Sequence, residues 1–400
     1  MTTVYIADST YTDSLFSATL TQSNGLEGLA SAALQRGIDR YTNKDYEGAV
    51  KEFNRSAGLG RYSSFGVQAY HYLAMSYLQL QDPESAIKAY RHAIQLDPTR
   101  DDSHVSLGNL YFAQSRYDEA RSEYAEAVRI NPSNTNRYSL GQAYLELGRY
   151  EDAAAQFSEI IRTSPQEAGG YLGMGLTYSR QKRFADAIQQ FKEAVDRDPG
   201  LSEGYSEMGY AYADMGNMDS AQTMVKQLEG MDKAELADTL SRYMYKVDPP
   251  KMAFAKSSGT FPFSLGTGMP LVALNSYLIN ANASKTLSIQ IQFDKQMDRD
   301  SIENPLNWQI SRAIGQGPGQ AYNFGLPISP NEVRLPPIPS AVAWDEKNLT
   351  ATVYFTVSQN AAANATIDPS HIEFKFSGED AYGLKMNPKF DQFTGFSGAF

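Results

Sequence analysis

The chain has 400 residues and a formal net charge of −11, with 42% hydrophobic and 20% charged residues, the balance of a folded, water-soluble protein of two or three domains. That acidity argues against a large nucleic-acid-binding surface. With no cysteine, disulfides, zinc knuckles, iron–sulfur clusters and thiol catalysis are excluded. Twenty-six tyrosines against two tryptophans is a skew that asks for a cause.

In chain order, the first element is polar. Twelve of the first 25 residues are Ser, Thr, Asn or Gln, and the first basic residue is Arg36. A secretory signal needs a basic start and an apolar run of about 7–15 residues; this segment has neither. Residues 1–29 are expected to be a disordered tail, the alternative being an uncleaved export signal of the flagellar or type III kind. No stretch approaches the ~18 apolar residues of a membrane span. Location is left open between the cytoplasm and a non-Sec export route.

An internal period organises residues 30–247. Small residues recur at Ala74, Gly108, Gly141, Gly175 and Gly209, spaced 34, 33, 34 and 34, with Gly37 ahead of them. Twelve positions later comes an alanine six times over: Ala49, Ala86, Ala120, Ala153, Ala187 and Ala221. Tyrosine follows the small residue by three at Tyr77, Tyr111, Tyr144, Tyr178 and Tyr212. Four after the alanine stand Phe53, Tyr90, Tyr124, Phe157, Phe191 and Val225. Pro98, Pro132, Pro165 and Pro199 bias Asp97, Asn131, Ser164 and Asp198 away from helix, so each of those residues should end a unit. Small residues let two antiparallel helices approach closely, and the ring fills the space beside the contact. Gly148 and Gly216 fall in inner turns. Asp232 with Glu235 reads as a capping-box-like start of a terminal helix over 232–246, needed because an end repeat would expose an apolar face.

This pattern resembles the tetratricopeptide repeat over six repeats, from about residue 30 to 235. The resemblance implies an α-solenoid whose first helices line a concave groove. Carrying the family's groove positions onto this chain gives Tyr72, Met75, Asn109, Tyr138, Gln142, Leu176 and Tyr210 as the candidate partner-binding set. Of the eighteen fifth, sixth and ninth places none is Lys or Arg. The clamp that some members use for a peptide carboxylate is therefore absent, although Asn109 matches one element. A lining of Tyr, Met, Leu, Asn and Gln suits an amphipathic helix or an extended apolar segment.

Residues 248–270, rich in Pro, Gly, Ser and Lys, are expected to be a linker. Beyond them alternation begins. Leu287, Ile289, Ile291 and Phe293 alternate with Ser288, Gln290 and Gln292, and similar runs follow at 351–357 and 371–376. Each is a half-buried strand, and about 130 residues suit one β-sandwich. The phrase from Gln292 through Phe293 and Met297 to Asp298, with the turn Asp380-Ala381-Tyr382-Gly383, resembles bacterial Ig-like domains. The expected C-terminal unit, 271–400, is thus an Ig-like β-sandwich; the resemblance implies a site outside the cytoplasm, and its near-neutral charge suits packing against another protein, a second copy of the chain included. The insertion at 313–340 departs from that family.

No catalytic constellation emerges. His71, His92, His104 and His371 share no metal-ligand spacing, no G-x-S-x-G elbow exists, and the glycine run from Gly315 to Gly319 leads into a proline-rich loop, not a helix. Asp294, Asp298, Asp300 and Glu303 are acidic neighbours without EF-hand spacing; they read as a solvated turn before a calcium site. The expectation is a non-catalytic scaffold with no cofactor and no metal. It binds a protein or peptide, neither nucleic acid nor membrane, and belongs in a bacterial surface or appendage assembly. A cytoplasmic adaptor or a self-assembling subunit are its rivals.

Overall fold

The computed structural model describes residues 9–60, 63–315 and 320–395, with side chains of the first helix described from residue 25. The chain forms two compact units, Met1–Ser241 and Arg242–Phe400.

The first unit is a row of helix pairs: α1 (Ser9–Thr42) with α2 (Tyr46–Leu59), α3 (Ser64–Gln79) with α4 (Pro83–Leu96), α5 (Asp101–Ala113) with α6 (Tyr117–Ile130), α7 (Asn134–Glu146) with α8 (Tyr150–Thr163), α9 (Ala168–Arg180) with α10 (Phe184–Arg197), and α11 (Ser202–Asp214) with α12 (Met218–Gly230). A further helix, α13 (Ala234–Val247), follows and continues past the boundary between the units. α1 starts at Ser9, so residues 9–29, expected within the tail, are helical. No proline interrupts the stretch, and it leads straight into the buried Ala30, Ala33 and Leu34. Residues 1–8 lie outside the described residues.

Packing gives each repeated residue its cause. A Cβ on Gly37 would lie 2.4 Å from the ring of Phe53, on Gly108 2.6 Å from Tyr124, on Gly141 2.6 Å from Phe157 and on Gly175 2.5 Å from Phe191. Glycine is there because the ring sixteen residues later occupies that place. The alanines Ala49, Ala86, Ala120, Ala153, Ala187 and Ala221 are all 0% exposed. Asp97, Asn131, Ser164 and Asp198 are the C-caps of α4, α6, α8 and α10, where the prolines put them. The 33-residue spacing is a shortening of the connection between α6 and α7, in which Ser133 caps α7 by accepting from Asn136 N at 3.2 Å.

The inner turns share one geometry. Lys44, Gln81, Ser115, Gly148, Lys182 and Gly216 all have positive φ, and only two are glycine. The residue after the turn then donates its N–H to the carbonyl five positions back, as Arg116 to Tyr111, Arg149 to Tyr144 and Arg183 to Tyr178, each at 2.9 Å. Those three arginines cannot cap a helix with a side-chain acceptor. Instead each guanidinium lies over the same tyrosine ring, 4.5, 4.8 and 4.4 Å from its centre, and pairs with the carboxylate three residues on, Glu119, Asp152 or Asp186. Part of the tyrosine excess is this stacking.

Asp232 corrects an expectation. It has φ +57° and sits in the turn, not at the helix N-cap. Lys233 takes the place after the turn, bonding Leu228 O at 3.0 Å, so the α12–α13 connection copies the inner turns. In the sixth repeat the atoms nearest a Cβ on Gly209 belong to Leu240 of α13, at 2.3 Å. α13 covers the end of the solenoid by supplying the side chain that the smaller Val225 does not reach.

The second unit is antiparallel. β1 (Met252–Lys256), β3 (Ser284–Phe293), β6 (Thr350–Ser358) and β5 (Ala341–Asp345) form one sheet in the order β1-β3-β6-β5. β4 (Trp308–Arg312), β8 (Ile372–Phe376) and β9 (Gln392–Thr394) form a second, in the order β4-β8-β9, and β2 (Met269–Pro270) pairs with β7 (Thr366–Ile367). The alternation holds: Leu287, Ile289, Ile291 and Phe293 of β3 and Ala351, Val353, Phe355 and Val357 of β6 all point into one core. Residues 248–270 are not a free linker. β1 pairs with β3, and Phe261 is 1% exposed, edge-on to Phe355 at 5.1 Å. Prolines and glycines frame that strand without excluding it.

The two singled-out phrases of this unit meet. Met297 bridges Asp380, and Asp298 N donates to Glu379 O. Lys295, buried, pairs with Asp380 at 2.7 Å and donates to the carbonyls of Tyr245 and Asp248. Asp380 in turn accepts from Tyr382 N and Leu384 N, which shapes the turn.

Candidate protein-binding face

Which side of the helix row faces inward follows from contacts. α1 touches α3, α5 touches α7, α7 touches α9 and α9 touches α11; contact is weaker between α3 and α5 and between every two successive even-numbered helices. Rows that pack more closely lie on the inside of a curve, so the odd-numbered helices form the inner layer.

The seven candidate residues all sit on those helices, and they divide. Tyr72 and Tyr138 are half-buried because their rings lie against core phenylalanines: Tyr72 stacks on Phe53 at 5.4 Å, and Tyr138 leans on Phe157 at 5.6 Å. Leu176 shares the hydrophobic cluster of Tyr138. Met75, at 39% exposure, and Asn109 face solvent. Asn109 accepts from the hydroxyl of Tyr124 at 2.7 Å, so its carbonyl oxygen is engaged within the repeat. Gln142 donates to the Tyr138 hydroxyl at 2.9 Å. Tyr210 is half-buried and makes contacts of its own. Tyr138, Gln142 and Leu176 are thereby brought together; Met75 and Asn109 stand apart on α3 and α5.

Two carboxylates of α11 act on this part of the inner layer. Burial, then Glu203 and Glu207 of α11, push the Tyr138 phenol up to about 12. Burial also raises the carboxyl of Glu207, and Glu203 adds to it, against the pull of Arg180. Periodicity did not single out Glu203 or Glu207 as a pair. Their spacing of four on a helix, with Glu207 at a sixth groove place, was the available sign.

The remaining candidates have structural partners. His104 lies 2.7 Å from Glu123, His71 bonds Ser103 at 2.7 Å, and buried His371 bonds Asp368 at 2.7 Å. Asp298 caps a short helix through Ser301 N, Glu303 accepts from Trp344 N, and Asp294 accepts from Lys251 N. Among the described residues no three His, Asp or Glu side chains are grouped to hold a metal ion. Residues 316–319 of the glycine run lie outside the described residues. No described helix is long and apolar enough to cross a membrane.

A model of the tetratricopeptide repeat matches residues 34–101, 71–135 and 138–202, and a second model of the same repeat matches 179–240. Together they span half of the chain, which belongs to the tetratricopeptide repeat proteins. Among curated relatives, protein bimA of Emericella nidulans is 29% identical over 93 residues, 23% of this chain and 11% of that one. U-box domain-containing protein 70 of Oryza sativa subsp. japonica is 31% identical over 90 residues, 22% and 10%. The small glutamine-rich tetratricopeptide repeat-containing protein 2 of Mycosarcoma maydis is 29% identical over 91 residues, 23% and 25%. The chain thus spans a tenth to a quarter of the length of these relatives. Similar solved structures include a tetratricopeptide repeat protein from Parabacteroides merdae (14% identity, TM-score 0.45, covering 55% of this chain and 93% of that one). Pseudomonas aeruginosa pilF is another (18%, 0.42, 55% and 98%). Tetratricopeptide repeats in general hold protein or peptide partners, and the solenoid of this chain is an interaction scaffold of that kind.

Proposed function

We propose that the solenoid captures a segment of a partner protein on its inner face, at Tyr72, Met75, Asn109, Tyr138, Gln142, Leu176 and Tyr210. The capture is non-catalytic and serves a bacterial surface or appendage assembly. The observation that carries this reading is the inner layer itself. Successive odd-numbered helices present tyrosine, amide, methionine and leucine side chains with no lysine or arginine at the groove places. Half-exposed aromatic surface of this kind is where binding energy concentrates in interfaces. The C-terminal unit is an Ig-like sandwich variant in this reading, on the strength of its two antiparallel sheets and of the joined phrases at Met297 and Asp380. The paired change Tyr138→Ala with Tyr210→Ala should weaken partner binding at least tenfold while the helical circular dichroism is retained; binding that survives both changes refutes the reading.

One observation favours a second role, self-association through the C-terminal unit. Between Arg312 and Glu332 no residue is charged, and Ile314, Phe324, Leu326 and Ile328 of that insertion are exposed. Exposed apolar surface of this kind marks contact sites. Sedimentation of the full chain beside Phe324→Glu with Leu326→Glu decides it: an assembly that the double change dissolves supports the role, and a monomer at all concentrations removes it. Recovery of the tagged chain from the cytosol alone, with one soluble client, would make it an adaptor.

A further inference from the structure

α9 carries four glycines in thirteen residues, Gly169, Gly170, Gly173 and Gly175, although glycine in a helix interior is about 1 kcal/mol worse than alanine. Three have a packing cause. A Cβ would lie 2.8 Å from Ile161 at Gly170, 2.3 Å from Phe157 at Gly173 and 2.5 Å from Phe191 at Gly175. Gly169 has none: a Cβ there would rest 3.7 Å from Glu167 and 3.9 Å from the ring of Tyr138, ordinary contact distances. The chain leaves an open place beside that ring where a side chain would fit.

On the next inner helix, α11, which packs against α9, Glu203 and Glu207 stand four apart, and after burial the charge of each raises the Tyr138 phenol. Glu207 is half-buried, and among the described residues its side chain makes no hydrogen bond or ion pair. Arg180, the cation whose field reaches it, is paired with Glu146 at 3.1 Å. A half-buried carboxylate without a partner favours a cation brought by a ligand. A tyrosine face favours the methylene stem and the charge of a lysine or arginine.

We propose that the open place at Gly169 is a subsite for a lysine or arginine side chain of the captured segment. Its stem lies along the Tyr138 ring and its charge meets Glu207 and Glu203. The inference rests on the proposed role of the inner face and adds the chemistry of the partner: an apolar segment with a basic residue at one fixed position.

The test is to pan a phage-displayed random dodecapeptide library on the full chain and titrate the selected peptides by fluorescence anisotropy. Selected sequences should share one Lys or Arg between apolar residues. Their affinity should fall about tenfold on Glu207→Gln and on Gly169→Leu. It should stay unchanged on Glu151→Gln, an exposed carboxylate of α8 outside the inner layer. Peptides without a basic residue, or equal losses on Glu207→Gln and Glu151→Gln, would overturn the subsite and leave the groove standing. Peptides that bind as well after Tyr138→Ala with Tyr210→Ala would overturn the groove, and the subsite with it.

Discussion

The two units use aromatic residues in opposite ways. In the solenoid the rings Phe53, Tyr124, Phe157 and Phe191 each fill the place left by a glycine sixteen residues before, and the arrangement repeats with the period of the sequence. In the β unit the rings form one cluster, in which Phe293 meets Trp308, Trp344 and Phe376 edge-on, drawn from strands up to 83 residues apart. A repeat spreads its stability over many similar interfaces, whereas a single core concentrates it. One substitution should therefore be absorbed in the first unit and felt throughout the second.

Both tryptophans, Trp308 and Trp344, lie in the β unit, so their fluorescence reports that unit while far-ultraviolet circular dichroism reports the helices. The largest effect is expected from Lys295→Ala, which leaves Asp380 buried and unpaired. The tryptophan transition should lose about 3–5 kcal/mol while the helical transition stays in place. Coincident shifts of both transitions would break the comparison. Next, Gly173→Ala should cost the helical transition about 1–3 kcal/mol, because Phe157 has to move. Gly169→Ala, four residues away in the first turn of the same helix, should instead add about 0.4–1 kcal/mol by restricting the unfolded chain; equal signs for the pair would refute the packing account of α9. A smaller loss, about 0.5–1 kcal/mol, is expected from Arg149→Ala, which removes the stack on Tyr144 and the pair with Asp152.

The smallest effect is a pH dependence. Burial raises the Glu207 carboxyl in the fold, so its stabilising contribution is complete below the ordinary carboxylate range and is lost as pH rises through the raised value. Glu207→Gln should match the parent at pH 3.5 and exceed it at pH 8, by less than about 1 kcal/mol. A parent that is the more stable of the two at pH 8 would show that Glu207 already has a cation in the free chain.

The contrast also decides what the sequence made legible. A contact of sixteen residues, repeated four times, shows as a period, so the helix pairs, the C-caps at Asp97 and Asn131, and the buried alanines could be located from spacing. Strand faces were legible for the same reason, since alternation is local. What was hidden had no period. Left-handed Lys44, Gln81, Ser115 and Lys182 carry no glycine to announce the turn. β1 sits among prolines and glycines and is defined only by its partner β3. Lys295 finds Asp380 across 85 residues, with the charge of each looking like surface charge in isolation. Family positions named Tyr138, Gln142 and Asn109 as candidates, but not that Asn109 is already engaged by Tyr124 or that Gly169 alone among the glycines of α9 has room beside it.

The distance between partners also sets an order of events during synthesis. Every helix pair of the solenoid closes within one period, so each can form soon after it leaves the ribosome. The first strand of the β unit cannot. Met252 N bonds the carbonyl of Phe390, and β8 waits for β9 at residues 392–394. A nascent chain would carry a finished solenoid while its β unit still exposes Phe293 and Phe355. Pulse-proteolysis of stalled chains would place that interval, and any self-association of the β unit could begin only after the interval closes.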